Sequence, residues 1–202
     1  MWIPNRSTEG IRGQVEIDMS VKKALSRVPV FKQGPLERIR TIGDPVLRQQ
    51  TKRVDTFDSR LHKLAEVMLE VMRRDDGVGL AANQIGVVSR VMVWRDPDNE
   101  DETYVFVNPQ IVERSEACCT TPEGCLSVPG VTMDVERAEE VVVEAQDLSG
   151  QHIRVTLRDL PARIAQHEID HLDGVLIVDR TPPEERRRVM KELREQSLTI
   201  GT

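Results

Sequence analysis

The stretch His167-Glu168-Ile169-Asp170-His171 is the feature that most constrains how this chain can fold. On an α-helix, residues four apart lie one above the other on the same face, so the two imidazoles can bind one metal ion. Glu168 lies one step further round the helix, where its carboxylate can reach a water bound to that ion. The fold must therefore provide a helix here and enclose one face of it.

A third protein ligand must come from elsewhere, and Cys125, within the stretch Glu123-Gly124-Cys125-Leu126-Ser127, is the best candidate. Three protein ligands leave a fourth position open for water, which is typical of a catalytic site. Glu192 is the alternative third ligand in a zinc endopeptidase, but it lies in a charged terminal segment. A closed structural zinc site would need Cys118 or Cys119 as its fourth ligand and would give Glu168 no chemical role.

A glycine-rich block runs from Gly77 to Gly86 and reads GVGLAANQIG. Its first six residues match a G-x-G-x-x-A dinucleotide-binding fingerprint. That fingerprint must follow a β-strand, whereas this block follows a charged helical segment that ends in Arg73-Arg74-Asp75-Asp76. A dinucleotide site is therefore rejected.

The three blocks, in this order and spacing, closely resemble the motifs of the peptide deformylase family. The resemblance extends from about Ile39 to Arg180, roughly 70% of the chain. Members of this family remove the formyl group from the N-terminal methionine of nascent bacterial-type polypeptides. The resemblance thus implies a metal-dependent hydrolase whose partners are nascent formylated polypeptides and whose product is formate.

The resemblance also implies roles for individual residues in the hydrolysis of a formamide. Glu168 would act as the catalytic base and then return the proton to the leaving amine. The side-chain amide of Gln84 and the backbone N–H of Leu126 would stabilise the charge on the formyl oxygen. The predicted metal ligands are Cys125, His167 and His171.

Substrate-binding residues are predicted around the same centre. Gly79 lies in the block whose glycines allow a peptide backbone to approach closely. Leu160 and Ile164, on the turns before the first ligand histidine, are candidates for the wall of an apolar methionine slot, although ordinary core packing explains them equally well. Glu123 is predicted either to orient the cysteine-bearing loop or to contact the substrate backbone.

One divalent metal ion is the predicted cofactor. The resemblance implies Fe²⁺ as the native ion, and Zn²⁺ or Ni²⁺ as alternatives, because imidazole and thiolate ligands suit all of them. Two other functions remain open from the sequence alone. One is an endopeptidase of the zinc type, and the other is a metal-bound structural or binding module without turnover.

Composition and charge limit the class of protein, its partners and its location in the cell. The chain has 202 residues, is 39% hydrophobic and 31% charged, and carries a formal net charge of −6, which argues against broad non-specific nucleic-acid binding. Sequence-specific nucleic-acid binding is not expected either. No run approaches the roughly 18 apolar residues of a membrane helix. Residues 1–30 lack the pattern of a secretory signal, and an odd number of cysteines argues against a disulfide framework. A cytoplasmic location is predicted.

We predict an α+β fold, with antiparallel β-sheets around the central helix that carries the two histidines. Helical and strand patterns do not alternate regularly, which argues against a parallel doubly wound sheet. The predicted division is an N-terminal extension over 1–35, partly helical or loose, a metallo-hydrolase catalytic domain over 36–182, and a C-terminal helix and tail over 183–202.

Periodicity predicts the individual elements. Helices are expected over 20–28, after the N-cap residue Asp58, and from Asp159 to Gly174. Strands are expected over 91–94, 104–107, 140–145 and 153–157, with a further buried strand over 175–178. His62 and His152 are expected at the surface.

A last helix is predicted from Glu184 to about Gln196, with five basic and four acidic residues. Some members of the family end in a helix that docks on the ribosome, so the resemblance implies the ribosome as a partner through this helix. The alternative is a solvated face stabilised by ion pairs between neighbouring turns.

Overall fold

The computed structural model describes Met1 and residues 15–16, 38–97, 99 and 101–200; for 15–16 and 196–200 the description covers the backbone alone. The helix predicted over 20–28 lies outside these residues. None of the helices in the described ranges is both long and apolar enough to cross a membrane.

A six-stranded antiparallel sheet forms the centre of the fold. Its strands are β1 (Val15–Glu16), β2 (Gly79–Ala81), β3 (Val91–Arg95), β4 (Thr103–Arg114), β7 (Glu140–Gln146) and β8 (His152–Arg158). Their order across the sheet is β1-β8-β7-β4-β3-β2. The four strands predicted in this region from apolar runs are confirmed, since each falls within a strand of this sheet.

The two faces of the sheet pack against different helices, because successive side chains of a strand point to opposite faces. Met92 and Trp94 of β3 share a core cluster with the helix α2 (Asp159–Leu172). Val91 and Val93 instead share one with the helix α1 (Ser59–Arg74). The sheet therefore separates two apolar layers, and α2 is buried along almost its whole length.

The helix α1 begins as the sequence predicts. The carboxylate of Asp58 accepts hydrogen bonds from the backbone N–H groups of Arg60, at 2.9 Å, and Leu61, at 3.4 Å. These bonds satisfy donors that the first turn of a helix leaves without partners. The apolar stripe that follows is buried against the sheet.

A second sheet is a long hairpin of β5 (Cys118–Cys125) and β6 (Val128–Ala138). Neither strand is among the predicted elements. The run over 120–124 in β5 shows neither alternation nor an apolar stretch, whereas β6 does alternate, with Val131, Met133 and Val135 on its buried face, so its strand signal was overlooked. The prediction that Cys125 lies in a loop is wrong. It is the last residue of β5, where the pairing register shifts and brings it opposite Val128.

The helix α2 ends where the sequence predicts a stop. Gly174 has a φ of +76°, and a Cβ atom there would lie 2.7 Å from the carbonyl oxygen of Arg48. Both observations require glycine at this position.

The buried strand predicted over 175–178 is wrong. The chain forms a 3-10 helix at Ile177–Asp179, closed by the carboxylate of Asp179, which accepts a hydrogen bond of 2.9 Å from the N–H of Leu176. The apolar residues of this run are buried as predicted. A short buried run does not by itself distinguish a strand from a helical turn.

The last element is the helix α3 (Pro183–Ile200), which confirms the predicted C-terminal helix. Val189 is fully buried and belongs to a third core cluster, together with Val135 of β6 and Ile177. Most other described side chains of α3 are exposed or half-buried. The architecture is α+β, as predicted, with α2 enclosed between the two sheets.

Candidate metal centre

The three predicted metal ligands meet in the interior, between α2 and the end of β5. His167 and His171 lie one turn apart on α2, and Cys125 faces them from the hairpin. One candidate ligand atom from each residue lies within 4.8 Å of the other two, and all three side chains are buried. The Cys125 Sγ atom lies 3.2 Å from Nε2 of His171.

The hydrogen bonding of His167 fits a bound cation. Its Nδ1 atom pairs with Oε2 of Glu123 at 2.9 Å, and its Nε2 atom is buried without a hydrogen-bond partner in the described part of the chain. Metal-binding histidines usually donate their second ring N–H to a carboxylate in this way, which fixes the ring and raises its basicity. Two imidazoles and a thiolate suit Zn²⁺, Fe²⁺ and related ions.

The pKa values of the two histidines reflect the same contacts. Burial lowers the pKa of His167, but the nearby sulfur of Cys125 and the hydrogen-bonded carboxylate of Glu123 outweigh it and raise the pKa to about 9. Burial, followed by the charge on His167, lowers the pKa of His171 well below its usual value. A cation bound at the vacant Nε2 atom would take the place of the proton that these contacts favour.

A buried charge cluster, formed by Glu123, Arg137, Arg163 and Asp170, lies behind the histidines. Oε1 of Glu123 accepts hydrogen bonds from Nε of Arg137, at 3.0 Å, and from Nη1 of Arg163, at 2.7 Å. Arg137 also donates to Asp170 through Nη1. Burial raises the pKa of Glu123, but the bonds from His167 and Arg137 hold that pKa well below its usual range. The carboxylate facing His167 is therefore ionised.

Glu168 points toward β2 on the other side of the centre. A Cβ atom on Gly79 would lie 2.6 Å from Oε1 of Glu168 and 2.9 Å from Cγ2 of Ile164. Only glycine allows the strand to approach the helix this closely. Oε1 also lies 3.0 Å from the α-amine of Met1, whereas Oε2 is buried and has no hydrogen-bond partner in the described ranges.

Gln84 belongs to a 3-10 helix, Ala82–Ile85, that follows β2 directly. Its Oε1 atom accepts a hydrogen bond from the N–H of Ala81 at 2.8 Å, and its Nε2 atom donates to Oγ of Ser127 at 3.1 Å. These bonds hold the amide with Nε2 at 4.0 Å from Sγ of Cys125. Leu126 lies between the cysteine and the serine and is half-buried.

The two predicted wall residues lie on the α2 side of the sheet. Ile164 is fully buried in the core cluster that also contains Met1, and Leu160 packs against the same cluster from a half-buried position. These packing contacts are compatible with a wall of the predicted methionine slot and with ordinary core packing.

The other candidate ligands lie outside the site. Cys118 and Cys119 are exposed at the start of β5, and His62 and His152 are exposed as predicted. The carboxylate of Glu192 accepts a hydrogen bond from Arg188 on the exposed helix α3. The alternative ligand sets therefore receive no support from the geometry.

Sequence reasoning missed Arg137, Arg163 and Asp170. Asp170 lies inside the histidine motif, and a charged residue on a helix that must be buried is itself a signal for an internal partner. The alternation of apolar residues in β6 places Arg137 on the buried face of that strand, but no local pattern pairs it with Asp170, which lies 33 positions away.

Comparison with known proteins agrees with this geometry. The family model described as polypeptide deformylase matches residues 36–187. The chain is 46% identical over 149 residues to a peptide deformylase of Dictyoglomus thermophilum, which covers 74% of this chain and 95% of that protein. It is 38% identical over 189 residues to the chloroplastic/mitochondrial peptide deformylase 1B of Arabidopsis thaliana, covering 92% of this chain and 69% of the relative.

The chain belongs to the peptide deformylase family. A crystal structure of a peptide deformylase from Legionella pneumophila superposes with a TM-score of 0.77 at 39% identity, covering 82% of this chain and 98% of that one. Peptide deformylases hydrolyse the formyl group from the N-terminal methionine of nascent polypeptides, and the chain is an enzyme of this type with a candidate site for a divalent metal.

Proposed function

We propose that Cys125, His167 and His171 hold one divalent cation at which the formyl–methionine amide is hydrolysed. The observation that carries this proposal is the convergence of three buried ligand atoms within 4.8 Å of one another, next to a buried glutamate. When bound, the cation supplies a Lewis acid that makes a water more acidic and polarises the formyl oxygen.

Glu168 handles the protons of the reaction. Its carboxylate accepts a proton from the attacking water, whose oxygen forms the new bond to the formyl carbon. The same carboxyl group then donates that proton to the nitrogen as the C–N bond breaks, which releases formate and a primary amine. The distance of 3.0 Å between Oε1 and the Met1 α-amine supports this role, since it shows that the carboxylate can hydrogen-bond an amine at that place.

Gln84 and the backbone N–H of Leu126 stabilise the negative charge that develops on the formyl oxygen. The side chain of Gln84 is fixed at both ends of its amide, by Ala81 and Ser127, so that it does not need to reorient during the reaction. Removing one donor of this kind typically costs about 3 kcal/mol of activation free energy.

The substrate methionine binds beside β2. The carbonyl oxygen of Gly79, which accepts a hydrogen bond of 2.8 Å from the Met1 amine, is the group that contacts the substrate backbone. Ile164 and Leu160 supply apolar surface for the side chain. We assign Glu123 to positioning rather than to substrate contact, because its oxygens are already bonded to His167 and two arginines.

Three further assignments belong to this proposal. The native ion is Fe²⁺, with Zn²⁺ and Ni²⁺ as functional replacements of different activity, because the donor set accepts each of them. The enzyme acts in the cytoplasm. It docks on the ribosome through α3, whose exposed face carries Arg186, Arg187 and Arg188.

Replacing Glu168 by Gln tests the chemical role. The amide fills the same volume but does not accept the proton, so we expect formate release from formyl-Met-Ala-Ser to fall by about 10²–10⁴-fold. The metal content of the variant should stay at one ion per chain, since none of the ligands is changed. Formate release is measured after loading with Fe²⁺, Ni²⁺ or Zn²⁺, which also ranks the ions.

The matched control is Glu192→Gln, which removes the same charge from the exposed helix α3 and should leave turnover unchanged. Full activity of Glu168→Gln would contradict the assignment of the base. Cleavage of an unblocked peptide at an internal bond by the unaltered enzyme would instead favour an endopeptidase.

A further inference from the structure

The N-terminal residue of the chain lies inside the catalytic centre. The α-amine of Met1 donates to the carbonyl oxygen of Gly79 at 2.8 Å and to Oε1 of Glu168 at 3.0 Å. Its carbonyl oxygen accepts a hydrogen bond of 3.0 Å from the N–H of Val78. The residue is only 1% exposed. Met1 is therefore held by both of its main-chain ends and by its side chain.

These contacts are those of a ligand rather than of a surface terminus. An extended peptide that binds beside an exposed strand gains its main-chain hydrogen bonds in the same way. The methionine side chain lies in the core cluster that contains Ile164, with Leu160 packed against it. A buried ammonium group requires a compensating charge, and Glu168 provides it.

The position of the amine corresponds to one state of the reaction. A free methionine amine next to the carboxylate of Glu168 is the group that deformylation produces. Met1 thus has the chemistry of a bound product and occupies the space that a substrate methionine needs.

The connection to the rest of the chain permits binding within one molecule. The next described segment, Val15–Glu16, pairs with Thr156 and Leu157 of β8, immediately before α2. The intervening residues 2–14 can span up to about 45 Å when extended. No second molecule is required to deliver the methionine.

We propose that Met1 is an intramolecular product ligand that competes with substrates for the catalytic centre. This inference rests on the proposed function of the centre. A tethered ligand of this kind has an effective concentration in the millimolar range, so a weak product can still occupy the site for most of the time. Competition raises the apparent KM and leaves kcat unchanged, because saturating substrate displaces the tethered residue.

The test is to produce the full chain behind a carrier domain that a protease removes immediately before Met1. In the fusion, the nitrogen of Met1 is an amide that carries a bulky domain and does not fit the site. Cleavage frees the amine, and we expect the apparent KM for formyl-Met-Ala-Ser to rise about tenfold at constant kcat. The rise should not depend on enzyme concentration, since the ligand belongs to the same chain.

The matched control carries Met1→Asp in the same fusion, because a carboxylate does not enter an apolar pocket. Its KM after cleavage should stay about tenfold below that of the cleaved native chain. Equal KM values for the two cleaved chains would overturn the inference. Absence of formate release from every form would instead refute the proposed function.

A second measurement does not depend on turnover. The α-amine of Met1 in the cleaved chain should react slowly with an amine-acylating reagent at neutral pH, as followed by mass spectrometry. Saturating Met-Ala-Ser should accelerate this labelling about tenfold by displacing the residue. A labelling rate that does not respond to the peptide would contradict the inference.

Discussion

Two clusters of charged residues in this protein form similar ion pairs, one in the interior and the other at the surface. In the buried charge cluster, Arg137 joins Glu123 to Asp170, and its side chain is 5% exposed. In the terminal charge cluster, which we define as Glu185, Arg188 and Glu192 of α3, Arg188 joins the two glutamates and is 49% exposed. Each arginine thus bridges two carboxylates.

The difference in burial decides what each cluster can do. Water competes for every exposed ion pair and screens its charge, so pairs like those of Arg188 add little to the stability of a protein. A buried pair gains little net stability over apolar residues, but its members depend on one another and hold a fixed geometry. The buried cluster therefore positions His167, whereas the terminal cluster maintains a solvated surface.

The largest effect is expected from Arg137→Leu. This change leaves the carboxylates of Glu123 and Asp170 buried with one partner fewer each, and we expect the free energy of unfolding to fall by about 3 kcal/mol. Arg163 and Arg180 keep some compensation for these carboxylates, which limits the loss. Urea denaturation of the metal-free protein measures it.

The control for this variant is Arg188→Leu, which removes the equivalent bridge from the terminal cluster. It should leave the free energy of unfolding nearly unchanged, because solvent screens the exposed pairs. Equal losses in the two variants would show that burial is not the property that separates the clusters.

A smaller effect, on metal affinity rather than on stability, is expected from Glu123→Gln. This change keeps the volume of the side chain but weakens the hydrogen bond to Nδ1 of His167. Metal affinity should fall about 10- to 100-fold, because the carboxylate raises the basicity of the ligand and fixes its ring. Competition with a chelator measures this change. Glu136→Gln, on the exposed face of β6, is the control, and a metal affinity equal to that of Glu123→Gln would refute the positioning role.

The smallest effect on stability is expected from replacing Arg186, Arg187 and Arg188 together by Ala. Only surface ion pairs are lost, among them the one between Arg186 and Asp179, so the free energy of unfolding should change little. Co-sedimentation with ribosomes should nevertheless weaken severalfold. Unchanged co-sedimentation would contradict the proposed docking and leave α3 with a solvated surface alone.

Local patterns predicted much of this architecture. The N-cap Asp58 with its apolar stripe marked α1, and four apolar runs marked strands of the main sheet. These predictions are confirmed because the apolar residues on one face of a helix or strand recur with the period of that element, which the local sequence displays. The strand predicted over 175–178 is wrong, because burial alone does not determine backbone conformation. The carboxylate of Asp179 accepts a hydrogen bond from the N–H of Leu176 and closes a helical turn there instead.

The sequence by itself determined that His167 and His171 lie side by side, because residues four positions apart on a helix share one face. Only the tertiary structure decided what surrounds them. It brought Cys125, Glu123 and Arg137 to the helix from a hairpin that is distant from it in the chain, and it placed Met1 against Glu168. Contacts between segments distant in the chain depend on how whole elements pack, and short-range periodicity carries no information about that packing.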